Sequence, residues 1–347
     1  APRSLRVLPD IARRRTGARL AKNFRPEPLR LAIRDLTETF AGRYPRGSEY
    51  LRALDQLQQE LRQVLAQETS AKSNATLVEL NARFKSLQRE ALLANPLLDF
   101  DQLLVLKRNF PKAAEAHTAM GSKLGVGTLN AHTSDTVSRK NQWRDQLVAL
   151  SNLRGTAAER VVFAASDMET IIDPDLHFDT GRILFSMNGA QQKNWRLFEV
   201  AMDGSGLRQV TPDDGEDVGH FDACYLPDGR IVFGSTAVYQ GLPCEFGNRY
   251  MVCLYLLDPK TQSIRQLTFE QDSDWCPTVL HDGRVLYQRW EYTDQSHANS
   301  RMLFSMNPDG TDQREYRGSG SWFHGSFFYA RPIPGLPWQV AGIAGGH

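Results

Sequence analysis

Leu176–Phe185 (LHFDTGRILF), Cys224–Phe233 (CYLPDGRIVF) and Val279–Tyr287 (VLHDGRVLY) are three copies of one pattern. Each has an apolar run, a polar turn closing on Gly-Arg, and a second apolar run suited to a strand. Turn residues between two such runs predict a tight connection into a β-strand at every copy. Gly181, Gly229 and Gly283 lie 48 and 54 residues apart, a period that suits a propeller blade carrying loop insertions. Further strands recur in phase: LFEVAMDG from Leu197, LYLLDP from Leu254 and LFSMNPDG from Leu303. LRQVT (Leu207–Thr211) and IRQLT (Ile264–Thr268) close the first two units. Each unit therefore reads as a small antiparallel meander that cannot cover its own faces and must stack on its neighbours. About four to eight blades close a ring, and residues 160–347 supply roughly three. The fold class expected is mostly β with an N-terminal α-helical part: a partial β-propeller preceded by a helical hairpin. GIAGGH stops in mid-pattern, which favours a piece of a longer protein over an arc completed by another chain.

Upstream, the period changes. Leu51, Leu54, Leu61 and Leu65 share one helical face, and Leu77, Leu80, Phe84, Leu87 and Ala91 repeat at spacings of three and four. Thr76 with Glu79 fits a capping box, Asn95-Pro96 fits a stop, and the polar stretch 67–75 fits the turn of a helical hairpin over residues 31–96. FDQLLVLK (Phe100–Lys107) reads as a strand. Residues 110–143 read as an irregular connector within a segment spanning 97–159; GSKLGVG there lacks the order of a phosphate loop.

The 347 residues carry 41% hydrophobic and 23% charged side chains, near the globular average, which excludes a disordered, collagenous or coiled-coil chain. No run approaches the roughly 18 apolar residues of a membrane span. A net charge of +1 gives no general field for nucleic acid. Charge is local: residues 1–30 hold nine basic side chains against Asp10 and Glu27. That arm either grips an acidic partner or is a solvated terminus, and it lacks the apolar core of an intact secretory signal. The four cysteines, Cys224, Cys244, Cys253 and Cys276, include no CxxC or CxxCH spacing, so a zinc ribbon, a thioredoxin site and a c-type haem attachment are all excluded. Cys244 with Cys253 is the disulfide candidate for an oxidising compartment; buried free thiols are the alternative.

HFDACYLPDGRIVF, STAVYQGLPC, RQLTFEQDSDWCPTVLHDGRVLYQRWEYTD, LFSMNPDGTDQREY and SFFYARPIPG together resemble the middle-domain family of the hydrazine synthase alpha subunit, within the wider TolB-type six-bladed propellers. NPLLDFDQLLVLKR extends the resemblance upstream, so that it spans about residues 95–108 and 173–347. It implies a bacterial protein of the periplasm or exterior, with further blades beyond His347. It does not carry the catalysis across, because haem c would have to come from a longer parent or a partner.

Propeller inner strands direct polar side chains toward the axis, so the residues before each Gly-Arg turn are the site candidates: Asp173, Asp175 and His177; His220 and Asp222; Asp272, Asp274 and Cys276. His177, His220, Asp222 and Cys276 form a candidate divalent-metal set, against which stands the reading that the aspartates cap turns. Arg289 and Glu291 fall on one face of a strand and Trp290 and Tyr292 on the other, either a recognition ledge or a half-buried strand with an ion pair. Trp322, Phe323, His324, Phe327, Phe328 and Tyr329 suit a blade interface or a ligand-stacking loop. No GxSxG elbow occurs, which weighs against a hydrolase triad. The function expected is a binding or assembly platform, with a protein partner or the remainder of a longer polypeptide bound to it. The alternatives are a redox subunit whose haem lies outside the chain and a polysaccharide-binding or -degrading propeller.

Overall fold

A computed structural model of the chain describes residues 24–66, 71–108, 144–167, 169–188, 194–242, 247, 250–291, 301–318 and 326–345. It divides into two compact units, one comprising the N-terminal residues to Leu103 with Leu150–Glu159, the other Leu104–Ala149 with Arg160–His347.

Among the described residues the first unit holds three α-helices where a hairpin is expected: α1 (Pro26–Phe40), α2 (Gly47–Leu65) and α3 (Ala71–Leu93). The additional helix, α1, begins inside the basic arm. Proline at its start suits a first turn whose N–H groups have no helical partner, and Leu29, Ile33 and Leu36, spaced by four and three, form its buried stripe. Tyr50, Leu54, Leu57 and Leu61 of α2 meet Leu77, Leu80, Phe84 and Ala91 of α3 in one core. Leu65, expected on that face, is exposed at the end of α2. Thr76 lies inside α3 instead of capping it, because the helix starts five residues earlier. Asn95 does act as expected: its side chain accepts from the Leu97 N–H and opens a short 3-10 turn after α3.

The second unit is built from β-sheets. Strands β1 (Gln102–Lys107), β2 (Gln146–Ser151) and β3 (Ala158–Ala164) pair as a three-stranded sheet. Blade one is β4 (Thr170–Leu176), β5 (Arg182–Asn188), β6 (Arg196–Ala201) and β7 (Arg208–Gln209). Blade two is β8 (His220–Tyr225), β9 (Ile231–Ser235), β10 (Cys253–Asp258) and β11 (Ser263–Gln266). Blade three is β12 (Asp274–Val279), β13 (Val285–Trp290), β14 (Arg301–Met306) and β15 (Arg314–Arg317). A hairpin of β16 (Ser326–Ile333) and β17 (Leu336–Gly345) begins a fourth meander. It joins blade three through a parallel bridge at Arg301 and Ser326.

The expected turns are present. In blades two and three the Asp carboxylates at 228 and 282 accept the N–H two residues on, and Gly229 and Gly283 take left-handed φ of 88° and 84°. Blade one has one residue more, so Thr180 takes the left-handed position (φ 60°) and Gly181 does not.

The innermost strands adjoin in order, β4 beside β8, β8 beside β12 and β12 beside β16. Apolar side chains fill the spaces between blades. Leu184, Phe221, Phe233, Val252, Tyr255 and Trp275 belong to one core shared by blades one to three. Cys224, Leu254, Val285, Tyr287 and Met306 fill another between blades two and three. Leu147, Val162, Ile171 and Phe185 bind the three-stranded sheet to blade one. This is the radial repetition of a β-propeller, each sheet covering its neighbour.

Candidate functional site

Every inner strand breaks its register at the same place. The pairing shifts between Ile172 and Asp175, Phe221 and Cys224, Trp275 and Thr278, and Phe328 and Arg331. At each bulge one non-glycine residue takes left-handed φ: Asp173 at 49°, Asp222 at 53°, Cys276 at 53° and Tyr329 at 51°. An L-residue there costs on the order of 1 kcal/mol, which the flanking blades must offset. Four consecutive repeats thus present a chemically different side chain at one equivalent point: carboxyl, carboxyl, thiol, phenol.

Hydrogen bonds connect these points from blade to blade. The Cys276 N–H donates to the Asp222 carboxylate in a very short bond, and the Tyr329 amide sits beside the Cys276 sulfur. Asp175 accepts the Tyr225 N–H at 2.9 Å. The first step differs. The Asp222 N–H donates to the Ser186 hydroxyl at 3.1 Å, so it does not serve the Asp173 carboxyl. Burial, then the neighbouring Asp222 carboxyl, push Asp173 up to about 8, with Arg331 and Arg108 opposing. Burial also raises Asp222, against the stabilising Cys276 N–H and the Arg331 charge. Burial lifts the Cys276 thiol well above its usual range, with both carboxyls adding to the effect. Both carboxyls of this coupled pair are thus raised, so the pair keeps a proton to higher pH than a free carboxyl does, and Asp222 is the member that receives the Cys276 N–H.

Arg108 approaches this pair already engaged. Its guanidinium bonds Asp145 through Nε at 2.7 Å and Nη2 at 2.8 Å and reaches the Ile171 carbonyl. Asp145, fully buried, also accepts the Ile171 N–H at 2.8 Å. The ion pair joins the end of β1 to the inner strand that carries Asp173.

A second charged cluster lies at the start of β12. Arg289 pairs with Glu270 at 2.7 Å and with Glu291 at 2.5 Å, the ion pair expected from strand alternation. Asp274 faces Arg289 in the β12–β13 register. Burial drives the Asp274 carboxyl well above its ordinary value, with the Thr268 hydroxyl opposing. Trp290, on the other face, is buried and stacked on Trp275 at 5.9 Å. Tyr292, Trp322, Phe323 and His324 fall outside the described residues.

The structure thus brings Asp173, Asp222 and Cys276 together with Asp175 close by, and separates the rest. His220 bonds Asp214 through Nε2 at 3.0 Å, and His177 is held by Asp179 at 2.7 Å and Arg182 at 3.0 Å. The set His177, His220, Asp222 and Cys276 is therefore not a metal centre here. Among the described residues no group of three or more His, Cys, Asp or Glu side chains is placed to hold a metal ion. The reason is geometric: the bulge gathers its own residue from each blade, while His220 precedes the bulge and His177 lies past the end of its strand. Haem c does not fit either, since the sequence has no CxxCH and Cys224, Cys253 and Cys276 are buried free thiols. Cys244, the other half of the candidate disulfide, lies outside the described residues. Sequence reasoning missed Arg331 and Arg108, and placed Tyr329 only in an aromatic cluster, not at the fourth bulge. SFFYARPIPG carries the fourth copy of the inner strand, but its turn reads Pro-Gly where the others read Gly-Arg.

No protein-family model matches the chain, and no curated protein does. Among solved structures, Kuenenia stuttgartiensis hydrazine synthase is similar to it at 18% identity and TM-score 0.46, over 65% of this chain and 33% of that one. TolB from Acinetobacter baumannii is 17% identical over 52% of this chain and 39% of its own, with TM-score 0.37. An oligogalacturonate lyase in complex with manganese is 17% identical over 66% and 54%, with TM-score 0.40. The chain spans about a third of the hydrazine synthase chain it resembles. These are partial likenesses of fold. The propeller architecture rests on the chain's own blades, and no helix of the described residues is long and apolar enough to cross a membrane.

Proposed function

We propose that the chain is a binding platform whose inner-strand bulges receive a positively charged group from a partner, with loss of a proton from the Asp173–Asp222 pair. One observation carries this reading. Asp173 sits where the blade-to-blade ladder would supply an N–H donor, and that donor goes to Ser186 instead. Burial and a second carboxyl beside it raise this carboxyl to about 8. An incoming ammonium or guanidinium would replace the missing donor and favour the ionised form. Arg108 cannot take that role, because Asp145 and the Ile171 carbonyl hold it. The bound group is a basic side chain of a protein partner, in keeping with the binding or assembly platform expected from the sequence. The family resemblance supports a place in the periplasm or exterior, which fractionation of the source cell would test.

The test is calorimetric titration of the full chain with tetralysine at pH 7, in two buffers of different ionisation enthalpy, against the fully acetylated peptide. The expected result is binding of tetralysine with release of up to one proton, and loss of both in Asp173→Asn. Binding that the acetylated peptide reproduces, or that Asp173→Asn leaves unchanged, overturns the reading.

A further inference from the structure

Blades one and two enclose a groove of about 610 Å³, separate from the bulges, whose walls carry Arg182, Arg208, Arg230 and Lys260. The arginines of one wall are anchored from behind. Glu199, 8% exposed, accepts Arg208 through Nε at 3.2 Å and Nη2 at 3.0 Å and pairs with Arg182 at 3.6 Å. The Tyr225 hydroxyl completes this carboxylate at 2.8 Å. Arg182 also donates one nitrogen toward His177 at 3.0 Å. Each guanidinium has five N–H donors, so both keep donors for the groove, and their side chains remain 42% and 45% exposed.

Repetition separates this arrangement from ordinary architecture. Arg182, Arg230 and Arg284 occupy the same place after the turn of blades one, two and three. Arg284 is spent internally: it bonds Ser305, Asn307 and Asp312, and its side chain is 11% exposed. In blade one the residue that matches Ser305 is Glu199, which turns the same arginine into half of an open pair. On the far wall Arg230 is steadied by its own Asp228 at 2.7 Å. The Asp258 carboxylate accepts the Lys260 N–H at 2.8 Å.

We infer that this groove is a binding site for a small oxyanion ligand, held by the Glu199-anchored forks of Arg182 and Arg208. A planar fork matches carboxylate and phosphate oxygens alike, so the shared chemistry is an anionic oxygen pair. Four cations face Glu199, Asp228 and Asp258 around the groove, a small net charge, so recognition depends on directed donors more than on the field. The site is independent of the proton-bearing pair at Asp173.

The experiment is calorimetric titration of the full chain with citrate and, separately, with inorganic pyrophosphate, at low ionic strength. Binding of citrate alone assigns a carboxylate ligand, and binding of pyrophosphate alone a phosphate ligand. Arg182→Gln and Arg208→Gln should each weaken the bound anion at least tenfold, while Arg265→Gln, at a surface arginine outside the groove, leaves it unchanged. Should either glutamine variant fail to fold, Lys260→Ala on the opposite wall should still weaken binding at least threefold. The inference is overturned if neither anion binds at 10 mM, or if folded groove variants bind as the unaltered chain does.

Discussion

Asp145→Ala removes the acceptor on which three donors converge: Arg108 Nε, Arg108 Nη2 and the Ile171 N–H, at 2.7, 2.8 and 2.8 Å. Arg108 is 11% exposed and Asp145 is not exposed at all, so the guanidinium cannot regain full hydration without displacing β1. Breaking a buried pair by deleting one member costs about 3–5 kcal/mol, mostly through the charge left behind. At roughly 2–4 °C per kcal/mol for units of this size, the midpoint of the β-unit transition should fall by on the order of 10 °C. Asp145→Asn keeps one acceptor oxygen and should cost about half as much. The double variant Arg108→Ala/Asp145→Ala should be more stable than the sum of the singles by about 1–3 kcal/mol, because no charge remains stranded. A linked effect follows at the site: a guanidinium freed of its counter-charge faces Asp173 and should move that carboxyl below its value of about 8. Calorimetric unfolding of the single and double variants is the assay. A loss under 1 kcal/mol in Asp145→Ala, or strict additivity, would refute the assignment of the ion pair as the peg between β1 and blade one.

Other outcomes follow from the same contacts. The carboxyls of Asp173, Asp222 and Asp274 are raised in the folded chain, so the fold binds more protons than the unfolded chain above about pH 4, and stability should decline as pH rises toward 8. Thermal midpoints from pH 5 to 8.5 should show that slope, and Asp173→Asn should flatten it by at most one proton's worth, about 1.4 kcal/mol per pH unit. Trp290→Ala should cost about 3–5 kcal/mol by urea unfolding, since it strips the stack on Trp275 and the face under the Arg301 guanidinium, 4.9 Å from the ring centroid. A cost under 1 kcal/mol would contradict the burial. Cys224, Cys253 and Cys276 should resist a thiol reagent at pH 8 in the native protein and all react in urea, because burial holds each thiol above its ordinary range; rapid native labelling of these three would show the blade cores to be open.

The blades were legible because their chemistry repeats. Asp228 and Asp282 bond backbone N–H groups two residues on, Gly229 and Gly283 supply left-handed φ, and the flanking apolar runs have the period of strands. The axial position was half legible. Reading residues before the turns found Asp173, Asp222 and Cys276, yet the same rule collected His177 and His220, which lie off the bulge. Nothing in the letters marks a bulge whose occupant changes from Asp to Cys to Tyr, since the signal is a backbone angle and not a residue type. Arg331 escaped, and Tyr329 was read only as one of an aromatic cluster, because the fourth repeat turns on Pro334-Gly335. Helix α1 escaped for another reason: its apolar triplet Leu29, Ile33, Leu36 is short and sits beside arginines that dominate the local composition.

The proton on Asp173 is the claim most open to direct measurement. Infrared difference spectra of the unaltered chain minus Asp173→Asn, recorded across pH, report the carbonyl stretch of that one protonated carboxyl. A band present at pH 7 that titrates with a midpoint near 8 is the predicted result. A difference spectrum without that band at pH 7, or with a midpoint near 4, contradicts it.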